Sequence, residues 1–184
     1  MFRFRHSSVV SAFGVLAVAL VASAGTLAVP QGQRIGFVAT GPAGFKINGS
    51  VGGLKAEDDG TNLRLVVKLE TATTGNDTRD DHCRDELFKI PKGVSKTASL
   101  TVAKSALKFP TGAKTSGEFS GKLSMNGETK SVTVPYTAER KDGLIHVTGK
   151  FGFKLTDFKL TPPKKYGVEV RDAVSVAADF NIKE

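Results

Sequence analysis

Apolar and polar residues alternate with a period of two along most of this chain. In the stretch 63–69, leucine and valine occupy every odd position, while Arg64 and Lys68 lie at even positions. Successive side chains of a strand point to opposite faces, so this alternation predicts a strand with one buried face. The pattern predicts about eight such strands, within residues 34–39, 45–53, 63–70, 100–109, 118–125, 132–136, 145–153 and 168–182.

The clearest turn between two of these strands is Asn126-Gly127. A two-residue hairpin turn needs positive φ at both central positions, and Asn followed by Gly adopts that conformation readily. The flanking stretches are therefore predicted to form an antiparallel hairpin.

The stretch 71–88 interrupts the alternation. Gly75 ends the preceding strand, and the run 76–78 consists of Asn, Asp and Thr, which are residue types that cap helices. The apolar residues that follow share one helical face, namely Cys83, Leu87 and Phe88. This stretch predicts one short helix inserted into an otherwise all-β chain.

These elements predict an all-β fold, an eight-stranded antiparallel barrel with one short helical insert. Closing the sheet removes exposed strand edges, and the interior of such a barrel admits its own side chains or one small ligand. Small residues share the inward parity with several phenylalanines, and they are Ala39, Gly49, Gly53, Gly121, Gly149 and Ala178. Two interpretations stay open, an aromatic-walled void or glycines that let the strands bend at barrel corners.

The first 24 residues are predicted to be a signal peptide. Arg3 and Arg5 supply a basic start, and the apolar stretch 9–22 precedes small residues. We expect cleavage after Ala24, with Ala28 as the alternative site. A retained membrane anchor is disfavoured because serine, glycine and alanine dilute the apolar run. The remaining domain, 25–184, is predicted to be periplasmic or secreted.

Charge and cysteine content narrow the class of protein further. The formal charge is +8, and removing Arg3 and Arg5 with the leader lowers it to +6. The lysines are spread over the alternating strands instead of forming a block, which indicates a solvated outer face and disfavours a nucleic acid partner. Cys83 is the only cysteine, so no disulfide forms within the chain, and the core must supply the stability.

Four motifs follow one another along the chain, namely TGNDTRDDH at 74–82 with ELF at 86–88, GKLSMNGETK at 121–130, the element 151–158, and VRDAVSV at 170–176. This ordered set resembles the YceI-like family of bacterial periplasmic proteins. The resemblance implies an eight-stranded lipocalin-like barrel that binds a polyisoprenoid or another long-chain amphiphilic lipid in its interior.

A long-chain lipid of the isoprenoid or fatty acid/amide type would require a dry, apolar wall. We expect that wall to consist of Phe37, Phe45, Ile47, Phe88, Phe119, Leu123, Phe151, Phe153, Phe158 and Phe180. Three motif residues, Arg79, Asp80 and His82, are expected to hold the insert against the barrel. A neutral or weakly polar head group is favoured, because Asp77, Asp80 and Asp81 would repel an anion.

The residues of the insert also suggest two kinds of chemistry other than lipid binding. His82 with Asp85 or Glu86 and Cys83 offers metal-ligand types, but the only other histidine of the mature chain, His146, lies on a distant strand. Cys83 beside His82 is a poor catalytic pair, since adjacent helical residues point about 100° apart. We therefore expect neither an enzyme nor a cofactor.

The alternative function is an interaction module that binds a protein or a polyanion through the basic outer face. Transient contact with a membrane is expected alongside lipid binding. The sequence leaves open whether two barrels pair.

Overall fold

A computed structural model describes residues 26–93, 96–165 and 168–184. The predicted leader, 1–24, and the predicted cleavage after Ala24 lie outside the described residues. The strands found in the described part are β1 Ile35–Thr40, β2 Lys46–Val51, β3 Lys55–Asp58, β4 Asn62–Lys68, β5 Thr97–Ala103, β6 Lys114–Met125, β7 Glu128–Lys141, β8 Leu144–Lys154, β9 Lys164–Lys165, β10 Val168–Glu169 and β11 Ala173–Ile182.

Nine of these strands form one antiparallel sheet that curls into a half-barrel. Their order is β2-β1-β11-β8-β7-β6-β5-β4-β3, while β9 and β10 form a separate two-stranded ribbon. The all-β prediction is confirmed, but the main sheet has nine strands where eight were predicted. The additional strand is β3, which begins after Gly53 adopts a φ of +65° and turns the chain away from β2.

The predicted closed barrel is not present as a continuous ladder, because the edge strands β2 and β3 do not pair within the described residues. The gap beside β2 is bridged instead by the last residue of β4 and the connection that follows it. Ser50 and Thr73 exchange two backbone hydrogen bonds of 2.8 and 2.9 Å, and the Lys68 amide donates to the Gly52 carbonyl at 3.0 Å. The sheet therefore curls without strand pairing around its full circumference.

The predicted helix is found as α1, Asp77–His82, which continues into a π-helical turn, Cys83–Leu87. Asn76 caps α1, since its side chain accepts a hydrogen bond of 3.0 Å from the Arg79 amide. The predicted hairpin turn is also confirmed, with φ of +52° at Asn126 and +76° at Gly127. None of the helices in the described part of the chain is long and apolar enough to span a membrane.

Strand direction places three of the connections at one end of the half-barrel, which we call the insert end. They are the turn 41–45 between β1 and β2, the segment 69–96 containing α1, and the segment 155–172 between β8 and β11. The opposite end is packed with apolar side chains and is crossed by the N-terminal segment, where Ala28 pairs with Lys183. One cluster of buried residues at this opposite end consists of Leu27, Leu54, Leu63, Val102, Phe180 and Ile182, and a second consists of Tyr136, Ala138 and Ile145.

Candidate functional site

A cavity of about 480 Å³ lies between the concave face of the sheet and the insert. Strands β1, β2, β4, β5, β6, β8 and β11 all contribute to its wall, and the connections at the insert end complete it. Most of the lining residues are aliphatic or aromatic. Among the described residues, the polar members of the lining are Thr74, Arg79, His82 and Ser99, three of which belong to the insert.

The structure brings eight of the ten predicted wall residues together around this cavity. They are Phe37, Phe45, Ile47, Phe88, Leu123, Phe151, Phe153 and Phe180. They come from five strands, from the turn before β2 and from the end of the insert, so only the folded chain assembles them. Their contact with a ligand stays a prediction.

Phe119 and Phe158 lie outside the lining of the cavity. Phe158 is fully buried and packs edge-to-face on Phe153, with ring centroids 5.6 Å apart. Phe119 packs against Tyr136 at the same centroid separation, on the side of the core away from the insert. Both rings therefore contribute to packing of the core in this structure.

Sequence reasoning missed many aliphatic residues of the wall, including Leu65, Val67, Val174 and Val176. Their inward parity was visible in the alternation, but the prediction favoured aromatic residues. Pro163 and Val170 also line the cavity. Val170 falls within the predicted strand 168–182 but was not named for the wall, whereas Pro163 follows from no strand pattern. The structure places both residues in the connection between β8 and β11.

The inward small residues do not all face open space. Ala39 and Ala178 line the cavity. Gly49 instead lies under the ring of Phe37, where a Cβ would come within 2.3 Å of the ring carbon Cζ. Gly121 is covered similarly by Leu100 and Phe119, with its nearest contact at 2.9 Å. These two glycines accommodate neighbouring side chains and do not themselves create the void.

The polar side of the wall is organised around Thr74. The Arg79 guanidinium donates to the Thr74 hydroxyl at 2.7 Å and to its carbonyl at 3.0 Å. The Asp80 carboxylate accepts from the Thr73 hydroxyl at 2.7 Å, from the Thr74 amide at 2.7 Å and from the Thr74 hydroxyl at 2.6 Å. Since Thr73 pairs with Ser50 of β2, this network attaches α1 to the edge of the sheet.

Two groups beside this network have shifted pKa values. Burial by itself would raise the pKa of Asp80, but hydrogen bonds from Thr74 and Thr73 outweigh burial and lower it, so the carboxylate stays ionised. Burial raises the pKa of the Cys83 thiol, and the charge of Asp80 raises it further. Cys83 is therefore a weak nucleophile at neutral pH.

His82 and Cys83 both line the cavity, which agrees with their placement on the insert. In the described ranges, no three His, Cys, Asp or Glu residues are grouped in a way that suits a metal ion. The arrangement as a whole offers an apolar surface bordered by one polar patch.

Three solved structures have a similar fold. The polyisoprenoid binding domain from Saccharophagus degradans, implicated in plant cell wall breakdown, has a TM-score of 0.71 at 17% identity, covering 86% of this chain and 98% of that one. BcnA from Burkholderia cenocepacia has a TM-score of 0.63 at 16% identity, covering 82% and 96%. The YCEI protein from Campylobacter jejuni has a TM-score of 0.51 at 20% identity, covering 73% and 83%.

Comparison with curated proteins gave no significant match. The family model for the YceI-like domain, in contrast, matches residues 27–182, which includes every strand of the sheet and the whole insert. The chain is therefore a member of the YceI-like family.

Proposed function

We propose that this protein binds a long-chain lipid, of the isoprenoid or fatty acid/amide type, in the cavity between the sheet and the insert. The observation that supports the proposal is the lining, in which aliphatic and aromatic side chains from seven strands meet around a space of about 480 Å³. Pockets for small molecules fall between roughly 300 and 1,000 Å³. The similar domain from Saccharophagus degradans is described as polyisoprenoid-binding, which agrees with this ligand class.

The binding energy in such a site comes from removing apolar surface from water. Each methylene transferred into the wall stabilises the complex by about 0.8 kcal/mol, less the cost of ordering the chain. A hydrocarbon chain needs no hydrogen-bond partners, and the strand residues of the wall offer few. A sugar, nucleotide or peptide would leave its polar groups unpaired there.

The head group of the lipid is proposed to be neutral or weakly polar and to lie near Thr74 and Arg79, the polar side of the wall. The Arg79 guanidinium already donates two hydrogen bonds to Thr74. The buried Asp80 carboxylate and the exposed Asp77, Asp81 and Asp85 add negative charge to the same segment. That charge disfavours an anionic head group.

We also propose that the leader directs export and is removed, so that the binding domain acts in the periplasm or outside the cell. The basic start and apolar run of residues 1–24 support this proposal. N-terminal sequencing of the protein recovered from the periplasmic fraction is expected to begin at Gly25, and a retained Met1 would contradict export with cleavage.

The test of lipid binding combines extraction with a matched pair of cavity variants. Mass spectrometry of gently purified protein is expected to find a co-purifying long-chain molecule. Ala178 lines the cavity, so Ala178→Leu fills part of it and should weaken binding of a fluorescent fatty acid about tenfold. Ala177 lies on the opposite face of the same strand, paired with Gly36 and Lys150, so Ala177→Leu should bind as the unmodified protein does.

Each result of this experiment has a clear meaning. No co-purifying molecule together with no fatty acid binding would overturn the proposal. Equal loss of affinity in Ala178→Leu and Ala177→Leu would place the binding surface elsewhere.

A further inference from the structure

Phe45 is a large apolar residue that the fold leaves in water. The residue is 64% exposed, and among the described residues it is the one large hydrophobic residue that is exposed. Removing an aromatic ring from water is favourable, so Phe45 offers an apolar contact to a partner that covers it.

The turn that carries Phe45 holds it in this position. The Gly41 amide donates to the Phe45 carbonyl at 2.7 Å, and the Phe45 amide donates to the Pro42 carbonyl at 3.0 Å. Ala43 and Gly44 have positive φ values of 50° and 82°, which complete a tight turn. Pro42 and Ala43 are exposed beside Phe45, so the tip of the turn presents a small apolar surface.

Phe45 also lines the cavity, together with Pro42 and Gly41. The exposed tip and the proposed lipid site are therefore continuous. A hydrocarbon chain passing over Phe45 would reach the wall of the cavity without leaving apolar surroundings.

Charge differs between the two sides of the insert end. The turn 41–46 and the segment 154–172 together carry six Lys or Arg residues against three Asp or Glu residues. The two are adjacent, because the Arg171 amide donates to the carbonyl of Thr40, the residue before the turn, at 2.7 Å. Lys164 pairs with Glu169, and Lys159 pairs with Glu128 of β7, while Asp172 accepts a hydrogen bond from Thr156. The insert, 71–88, carries two basic against five acidic residues. Phe45 thus lies on the basic side.

We propose that the turn 41–46 docks on an anionic lipid bilayer, with Phe45 inserted among the head groups and the exposed basic residues Lys154, Lys164 and Arg171 facing the anionic surface. Aromatic rings beside lysines suit a membrane interface, where the ring enters the acyl boundary and the charges meet anionic lipids. A docked protein would exchange its chain directly with the bilayer. This inference rests on the proposed function, since it identifies the membrane as the source or destination of the lipid.

Co-sedimentation with vesicles tests the docking surface. The full domain is expected to bind vesicles of phosphatidylcholine and phosphatidylglycerol, to bind vesicles of phosphatidylcholine alone much more weakly, and to be released by high salt. Phe45→Ser should weaken binding about tenfold. The control pair is Ala43→Asp and Ala43→Asn, because both replacements tolerate positive φ and they differ only in charge. Ala43→Asn should bind like the unmodified protein, and Ala43→Asp several-fold more weakly.

A second measurement separates this inference from the proposed function. Ala43 is not part of the cavity lining, so Ala43→Asp should bind a soluble fluorescent fatty acid normally without vesicles. Fatty acid binding without any vesicle binding would overturn the docking surface and leave the lipid site intact. Vesicle binding that is unchanged by both Phe45→Ser and Ala43→Asp would also overturn it. Docking that persists while no variant binds fatty acid would support the surface and refute the lipid site.

Discussion

At the scale of single residues, Asp58 joins three separate parts of the chain. Its carboxylate accepts hydrogen bonds from the Leu27 amide at 2.9 Å, from Lys104 at 2.8 Å and from the Gly60 amide at 2.8 Å, and only 2% of its side chain is exposed. Hydrogen bonds from the Leu27 amide, from Lys104 and from the Gly60 amide outweigh the effect of burial and lower the pKa of Asp58 to about 2. This residue fastens the N-terminal segment to the end opposite the insert.

Asp58→Asn is expected to lower the free energy of unfolding by roughly 2 kcal/mol at neutral pH, because the native state holds the carboxylate ionised. The folded pKa is lower than the unfolded one, so the stabilisation is complete above about pH 4 and is lost as the pH falls toward 2. Urea unfolding at pH 7 and pH 2.5 checks this, and the difference between the two proteins should shrink at the lower pH.

Glu57→Gln is the control for Asp58→Asn. Glu57 pairs with Arg64 but its side chain is 55% exposed, so its loss should change stability by less than about 0.5 kcal/mol. A loss at Glu57 equal to that at Asp58, or a loss at Asp58 that does not depend on pH, would contradict the role given to the buried carboxylate.

At the scale of elements, the insert depends on a polar network for its position. The helix α1 has six residues, which is too short to be stable alone. Asp80 gives it a fixed contact with Thr73 and Thr74, and through them with β2. The insert forms one wall of the cavity, so its attachment and the retention of a ligand are expected to be linked.

Asp80→Asn removes one acceptor from this network and leaves a buried donor unpaired, which should cost about 1 to 3 kcal/mol. Hydrogen exchange of residues 71–93 is expected to become faster, and a bound fatty acid should dissociate faster. Asp85 is exposed on the same segment, so Asp85→Asn is a matched control that should change neither rate. Equal exchange rates in Asp80→Asn and the unmodified protein would show that other contacts hold the insert.

The elements also explain what the sequence could predict. Alternation assigns a residue to the inner or outer face, and it did so for Phe37 and Leu123. It contains no information on height along the barrel, which is why Phe119, on the same parity as Leu123, was assigned to the cavity although it packs against Tyr136. Strand β3 was missed because its four residues follow a glycine bend and resemble a turn. The contribution of Pro163 from the connection 155–172 depends on tertiary packing alone, whereas Val170 lies within the predicted strand 168–182.

At the scale of the whole molecule, the two ends of the curled sheet differ. Apolar side chains fill the end opposite the insert, whereas polar residues of the insert line the cavity at the insert end. The clusters around Leu27 and Ile145 fill the former. The cavity is what remains between that filled end and the insert, so the packed core sets how deep a chain can enter. Phe37 and Phe180, which both line the cavity, are part of that boundary.

This boundary leads to a prediction about chain length. A cavity of about 480 Å³ accommodates ~16 methylene groups if each occupies ~30 Å³, the volume share of a water molecule in the liquid. The affinity of saturated fatty acids should therefore rise about fourfold per methylene up to roughly sixteen carbons and then level off, since further carbons stay outside the wall. Titration calorimetry over a series of chain lengths measures this limit.

Gly49→Ala is expected to shorten the chain length at which affinity levels off, and it acts by displacing the Phe37 ring. The new Cβ would lie 2.3 Å from the Phe37 ring, so the ring must move, and the cavity is the open space beside it. The levelling of affinity should then occur at a shorter chain, while chains of about eight carbons bind as before. Ala177→Leu is the control, because it leaves the wall intact and affinity should still level off at roughly sixteen carbons. Affinity that continues to rise well beyond sixteen carbons would mean that the ligand itself opens the far end or parts the insert from β2, and the depth of the site would then be set by the bound chain.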